Sequence, residues 1–120
     1  MILHILIRSQ WDFALRDGSY CPPSFDADGF IHCSTIAQVI DTANIFFRGQ
    51  HDLLVLRIDE RKLTSRLEFE APATAGDARP QTRFPHIYGP LNLDAVIDAI
   101  ELPCAADGSF RLPFALAEPD

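Results

Sequence analysis

The first seven residues, Met1-Ile2-Leu3-His4-Ile5-Leu6-Ile7, are apolar at every position but one. Read as a strand, such a run has no polar face, so it must be covered on both sides and is expected to be central in a sheet. That requirement constrains the fold more than any other stretch. It also isolates His4, an ionisable ring where local folding needs none. Two later segments repeat the anomaly: Phe30-Ile31-His32-Cys33-Ser34 and Phe84-Pro85-His86-Ile87-Tyr88-Gly89-Pro90. Three of the four histidines therefore fall in strand-like sequence, and only His51 falls in a polar loop. Polar groups buried in strands are costly unless hydrogen-bonded or used. A shared polar site is the expectation.

The remaining pattern supplies the covering elements. Ser9 is a plausible N-cap for a helix over 10–17 that Gly18 stops, with Trp11, Ala14 and Leu15 as its buried stripe. Cys21-Pro22-Pro23-Ser24 predicts an extended connector. A second helix is expected to open at Ser34 or Thr35, with Gln38 in a weak capping-box arrangement, and to end at Gly49. Strands are predicted over 53–58, 67–71 and 84–88. Residues 72–83 read as a loop that could be a mobile cover, and 95–102 as a strand after a helical turn. The expected architecture is α+β: two N-terminal helices packed on a mixed, mostly antiparallel sheet split into two small halves around a cleft. Residues 1–104 form the single domain, and 105–120 a tail that adds an edge strand or frays.

Charge and composition exclude several function classes. A formal charge of −7 argues against double-stranded nucleic acid, whose binders show a basic patch. A small nucleotide needs only a few donors and stays open. The seven-residue apolar start is too short for a signal or a membrane span. Three cysteines without a Cys-x-x-Cys pair fit a reducing cytoplasm.

Strand alternation sorts the chemistry. His32 and Ser34 share a face, as do His86 and Tyr88, and as do Glu68 and Glu70. Two polar groups spaced about 7 Å along a strand can grip two points of one ligand. If a helix begins at Ser34 or Thr35, its free amides could also hold a phosphate. Against these stand plainer readings: a core histidine, an N-cap serine, a corner tyrosine, a solvated glutamate edge. Cys33 alternates onto the face of Ile31 and reads as core. Zinc would need convergent ligands. No His-Glu-x-x-His spacing occurs, so no metal is expected.

The same segments resemble a bacterial family known as domain of unknown function 952. The resemblance runs from the His4 strand through Trp11, Gly29–Thr35, Asn44–Gly49, 53–58 and Glu70 to Phe84–Leu91, roughly residues 2–103. It implies kinship by fold with ADP-ribosyltransferase-like proteins, which bind NAD in a cleft between two small sheets. On that resemblance His4 is expected at the nicotinamide ribose. His32, Ser34, Thr35 and Tyr88 are expected at the nicotinamide or phosphates. His32, His86 and Glu70 are the expected catalytic groups, Glu70 being the only well-placed carboxylate for an oxocarbenium-like cation. Three functions follow: an enzyme of ADP-ribosyl- or phosphotransferase type using NAD or a related nucleotide, a non-catalytic nucleotide-binding domain, or a metal-dependent hydrolase.

Overall fold

The computed structural model describes residues 1–72, 77, 79 and 82–117. Three small antiparallel sheets carry the fold. The first joins β1 (Ile2–Ile7), β4 (Leu53–Ile58) and β8 (Val96–Leu102) in the order β1-β4-β8. The second pairs β2 (Ser19–Tyr20) with β7 (Leu91–Asn92). The third joins β3 (Ile31–His32), β6 (Phe84–Tyr88) and β5 (Arg66–Glu70) in the order β3-β6-β5. The α+β class and the mostly antiparallel pairing agree with the sequence. The expected two-halved single sheet does not, because the chain resolves into three sheets.

Both faces of β1 and β4 are buried, as the opening run requires. Ile2 and Leu6 of β1, with Leu54, Leu56 and Ile58 of β4, enter one apolar cluster with Ile31, Cys33 and Ile87 of the third-sheet side. Leu3 and Ile5, with Leu53 and Val55, enter a second cluster with Val39 and Ala43 of a helix. At about 25 cal/mol per Å² of apolar surface removed from water, this double burial is the main force orienting the strand. Yet β1 lies at the sheet's edge, not its centre. Its outer side is closed instead by reciprocal bonds of 2.8 Å between the backbones of Leu3 and Ser34. This bridge ties the first sheet to the segment leaving β3.

The helices depart from expectation in instructive ways. Helix α1 (Arg8–Asp17) follows β1 directly, with Ile7 at its N-cap position and no side-chain cap. Ser9 is thus inside the helix and caps nothing. Gly18 ends it in the left-handed region, its N–H bonding Ala14 O. Ala14 is buried and Trp11 packs on the core, but Leu15 is 56% exposed because no element covers that side of the helix. The Pro22-Pro23 connector leads into a one-turn helix, α2 (Phe25–Asp28), closed by Gly29. Helix α3 (Val39–Phe46) begins four residues later than Thr35. The predicted capping contact survives in the turn before it, where Thr35 N–H donates to Gln38 Oε1 at 2.9 Å.

Residues 105–117 form no strand. They lay Phe110 and Leu116 on the second apolar cluster and end in α4 (Phe114–Ala117). The Asn44 amide holds this segment, accepting from Phe110 N–H at 2.8 Å and donating to its carbonyl at 3.3 Å. The expected mobile cover over 72–83 falls largely on residues 73–76, 78 and 80–81, outside the described residues. No helix among the described residues is long and apolar enough to cross a membrane.

Candidate functional site

The third sheet brings two of the anomalous histidines together. Antiparallel register sets His32 of β3 directly opposite His86 of β6, so both rings share one face. Their centroids are 5.7 Å apart with planes at 70°. Phe30 lies on the same side and stacks on His86, with centroids 4.1 Å apart and planes at 21°. That contact, with the sheet behind it, leaves the His86 side chain only 3% exposed.

Each imidazole leans on a carboxylate. In β5 it is Glu68 that stands opposite His86. Glu70, one diagonal step away, reaches Nδ1 with its Oε1 at 2.9 Å. The Tyr88 hydroxyl donates to the same oxygen. These bonds, Tyr88 first and His86 second, hold the Glu70 carboxyl below its ordinary range, and the same bond pushes the Tyr88 hydroxyl up. An ionised Glu70 makes Nδ1 the protonated nitrogen of a neutral His86 and leaves Nε2 as a lone-pair acceptor. Among the described residues Nε2 has no protein partner. His32 carries the same arrangement on its other nitrogen, Nε2 lying 2.8 Å from Asp28 Oδ2. Gly29 turns the chain sharply enough for Asp28 to reach a residue four positions on.

His4 behaves differently. Its Nδ1–H donates to the His32 carbonyl at 2.6 Å, and its Nε2 accepts from the Tyr20 hydroxyl at 2.8 Å. The carbonyl can only accept, so the tautomer is fixed. Burial lowers the His4 pKa to about 4. A neutral ring with both nitrogens engaged holds its neighbours in place and offers a ligand no free nitrogen. The expected ribose contact therefore has no donor or acceptor to make it.

His4, His32 and His86 all border one cavity of about 370 Å³ between the first and third sheets. Leu6, Phe46, Phe47 and Pro22 form part of its largely apolar wall. Its polar corner adds Ser34, Thr42 and Arg79. Ser34 donates to Thr42 Oγ1 at 3.3 Å, and Arg79 Nη1 donates to the same oxygen at 2.9 Å. Asp77 holds the guanidinium at 2.7 Å, and Phe84 lies beneath it at 4.3 Å. Glu70 and Tyr88 do not belong to the wall; they act on it through His86.

The amides expected to hold a phosphate at Ser34 and Thr35 are taken. Ser34 N–H pairs with Leu3 O, and Thr35 N–H with Gln38 Oε1. The helix starts elsewhere, so no free helix N-terminus faces the cavity from these residues. Ser34 remains at the wall through its hydroxyl. Cys33 enters the core beside Ile31, and burial pushes its thiol up. Among the described residues no three His, Cys, Asp or Glu side chains are grouped to hold a metal ion. Sequence reasoning missed Asp28, Thr42 and Arg79. Only Asp28 left a local signal, four residues before His32 beside a turn glycine.

Fold and site together define a small α+β protein with a histidine-walled cavity between two sheets. Its sequence matches, over residues 5–99, the model of a family described as "Protein of unknown function (DUF952)", and the chain belongs to that family. It is similar to protein CC0527 from Caulobacter crescentus. The crystal structure of that protein is 37% identical over 98% of each chain, with a TM-score of 0.85. Its solution NMR structure is 38% identical over 92% of this chain and 91% of that one, with a TM-score of 0.76. No curated protein matches the chain.

Proposed function

We propose that the cavity binds a small nucleotide, with NAD the first ligand to try, and that His86 moves a proton on it. The observation that carries this is the state of the His86 ring. Glu70 fixes its Nδ1, the strand fixes its orientation, and its Nε2, at the wall of a cavity, has no partner among the described residues. Among the described residues no buried side-chain nitrogen or oxygen lacks a partner, so Nε2 is open to solvent through the cavity and a ligand can reach it without displacing a protein group. The apolar wall suits a planar base, and the corner of Ser34, Thr42 and the Asp77-paired Arg79 suits the hydroxyls of a ribose. The volume, about 370 Å³, lies in the range of small-ligand pockets and fits one nucleotide half of NAD better than the whole.

The engagement of Glu70 bears on the reaction. ADP-ribosyl transfer needs a carboxylate facing the developing oxocarbenium cation. Glu70 faces His86 and Tyr88 instead. Proton transfer by an imidazole, as in phosphoryl-group chemistry, is the reading this geometry favours. His4 and Glu70 are positioning residues in it, and His32 and His86 the groups that touch ligand.

Isothermal titration with NAD, ADP-ribose, AMP and nicotinamide tests the proposal. At least one nucleotide binds, and His86→Gln weakens it by about tenfold or more, as expected for a lost buried hydrogen bond. Absence of heat with every nucleotide overturns it. Binding without turnover would assign the chain to the non-catalytic class.

A further inference from the structure

The two carboxylate-backed imidazoles invite a more specific reading, resting on the proposal above. We infer that His86 and His32 form a general base and general acid pair that hydrolyses a small cyclic phosphodiester, the 2′,3′-cyclic phosphate of a nucleoside being the simplest.

The pairing is built by register, not by chance proximity on a surface. Opposed positions on β3 and β6 hold the rings 5.7 Å apart. An attacking water donating to His86 Nε2 and a ribose oxygen accepting from His32 Nδ1–H, each at about 2.6–3.2 Å, place one phosphorus between the rings. Each ring spends one nitrogen on a carboxylate and keeps the other free among the described residues: Nε2 for His86, Nδ1 for His32.

The step balances as follows. Neutral His86 takes a proton on Nε2 from a water whose oxygen forms a new bond to phosphorus. The bond from phosphorus to one ribose oxygen breaks. Protonated His32, its charge set against Asp28, gives its Nδ1 proton to that oxygen, which leaves as a hydroxyl. The product is a phosphomonoester. His86 then loses its proton to solvent and His32 regains one, with no redox change.

Charge and space select the substrate. Glu68 opposite His86, Glu70 behind it, Asp28 beside His32 and Asp77 in the cavity wall make the site acidic, and the cations Arg79 and Arg66 are paired with Asp77 and Glu68. A diester carries one negative charge and tolerates this. A dianionic monoester is repelled, so the reaction stops after one cleavage. A formal net charge of −7 argues against a long polyanion as substrate. A cyclic diester needs only one nucleotide's room, with its base against Phe46 and Phe47 and its phosphate at the histidines.

The test is incubation of the protein with the four nucleoside 2′,3′-cyclic phosphates, followed by phosphorus NMR. One monoester regioisomer accumulates. His86→Gln and His32→Gln each lower kcat by about 10²-fold or more, with KM changed far less. His32, 38% exposed, tolerates substitution in the fold, so His32→Gln decides if His86→Gln unfolds. Glu70→Gln, which no longer fixes the proton on His86 Nδ1, lowers kcat with KM changed far less and displaces the acidic-side limb of the pH profile, which a purely structural residue would not move. Binding of cyclic nucleotides without cleavage overturns this inference and leaves nucleotide binding standing. Failure of any nucleotide to bind removes both. Cleavage undiminished in folded His32→Gln also overturns the pair.

Discussion

Acid should destabilise this protein through His4 earlier than through its carboxylates. In the folded state the ring is neutral, because burial lowers its pKa to about 4 from the ordinary 6.5. The unfolded chain has no such burial and binds the proton near 6.5. Between those values the unfolded state holds more protons than the native one, so stability rises with pH and falls as pH is lowered. Above about 6.5 both states are neutral at this site, and below about 4 both are charged, so the dependence is confined to that window. Each pKa unit is worth about 1.36 kcal/mol, and the full separation amounts to ~3 kcal/mol. About 2 kcal/mol of it is lost between pH 7 and pH 5. Urea titrations at half-unit intervals measure the slope, and the His4→Gln variant, lower in stability throughout, lacks this component. Nitrogen NMR of the ring at pH 5 should still show the neutral form protonated on Nδ1. A wild-type stability that stays flat from pH 7 to 5, or a slope identical in His4→Gln, refutes the argument.

Two further predictions concern packing. A Cβ at Gly89 would lie 2.9 Å from Ser65 Cβ and closer still to its Oγ, and that hydroxyl is held by Pro90 O at 2.7 Å. Gly89→Ala therefore costs about 1–3 kcal/mol by overpacking, and Ser65→Gly in the same chain restores part of it; an unshifted Tm in the single variant would show the turn can relax. Cys33 is buried with its thiol pushed up, whereas Cys21 is exposed. Mass spectrometry after alkylation of the native protein should find Cys21 modified and Cys33 intact, and early modification of Cys33 would mean the core between the sheets opens readily.

What was legible in the sequence were features that local periodicity encodes. Short apolar runs at 53–58 and 84–88 read directly as β4 and β6, and strand alternation sets His32 beside Ser34 and sends Cys33 into the core. Gly18 marks the end of α1 because only a residue free to adopt the left-handed region closes it there. The misses share a cause in long-range pairing. An apolar run looks central when both faces are buried, but burial of faces does not reveal which edges are bonded; β1 closes its outer edge with the short bridge to Ser34. Helix α3 starts late because that bridge holds Ser34 extended. Glu68 and Glu70 are indistinguishable by alternation. Register sets Glu68 across from His86, Arg66 meets Glu68 at 3.3 Å, and Glu70 is left to reach Nδ1. One-residue register is not written in either strand alone.

The opening histidine can then be given a reason. His4 shares the face of Ile2 and Leu6, toward the third sheet, and its Nδ1–H fixes the carbonyl of His32. Two residues on, the Leu3 backbone fixes Ser34. The first strand thus grips the His32-Cys33-Ser34 segment at two points, setting how His32 meets His86 across the sheet. Protonating His4 would leave the Nδ1–H bond intact and turn Nε2 into a donor to the Tyr20 hydroxyl oxygen, so its cost is the buried charge and not a lost partner. A leucine at position 4 would satisfy the core, yet it would leave the His32 carbonyl buried without a donor and the cavity's first imidazole without its anchor.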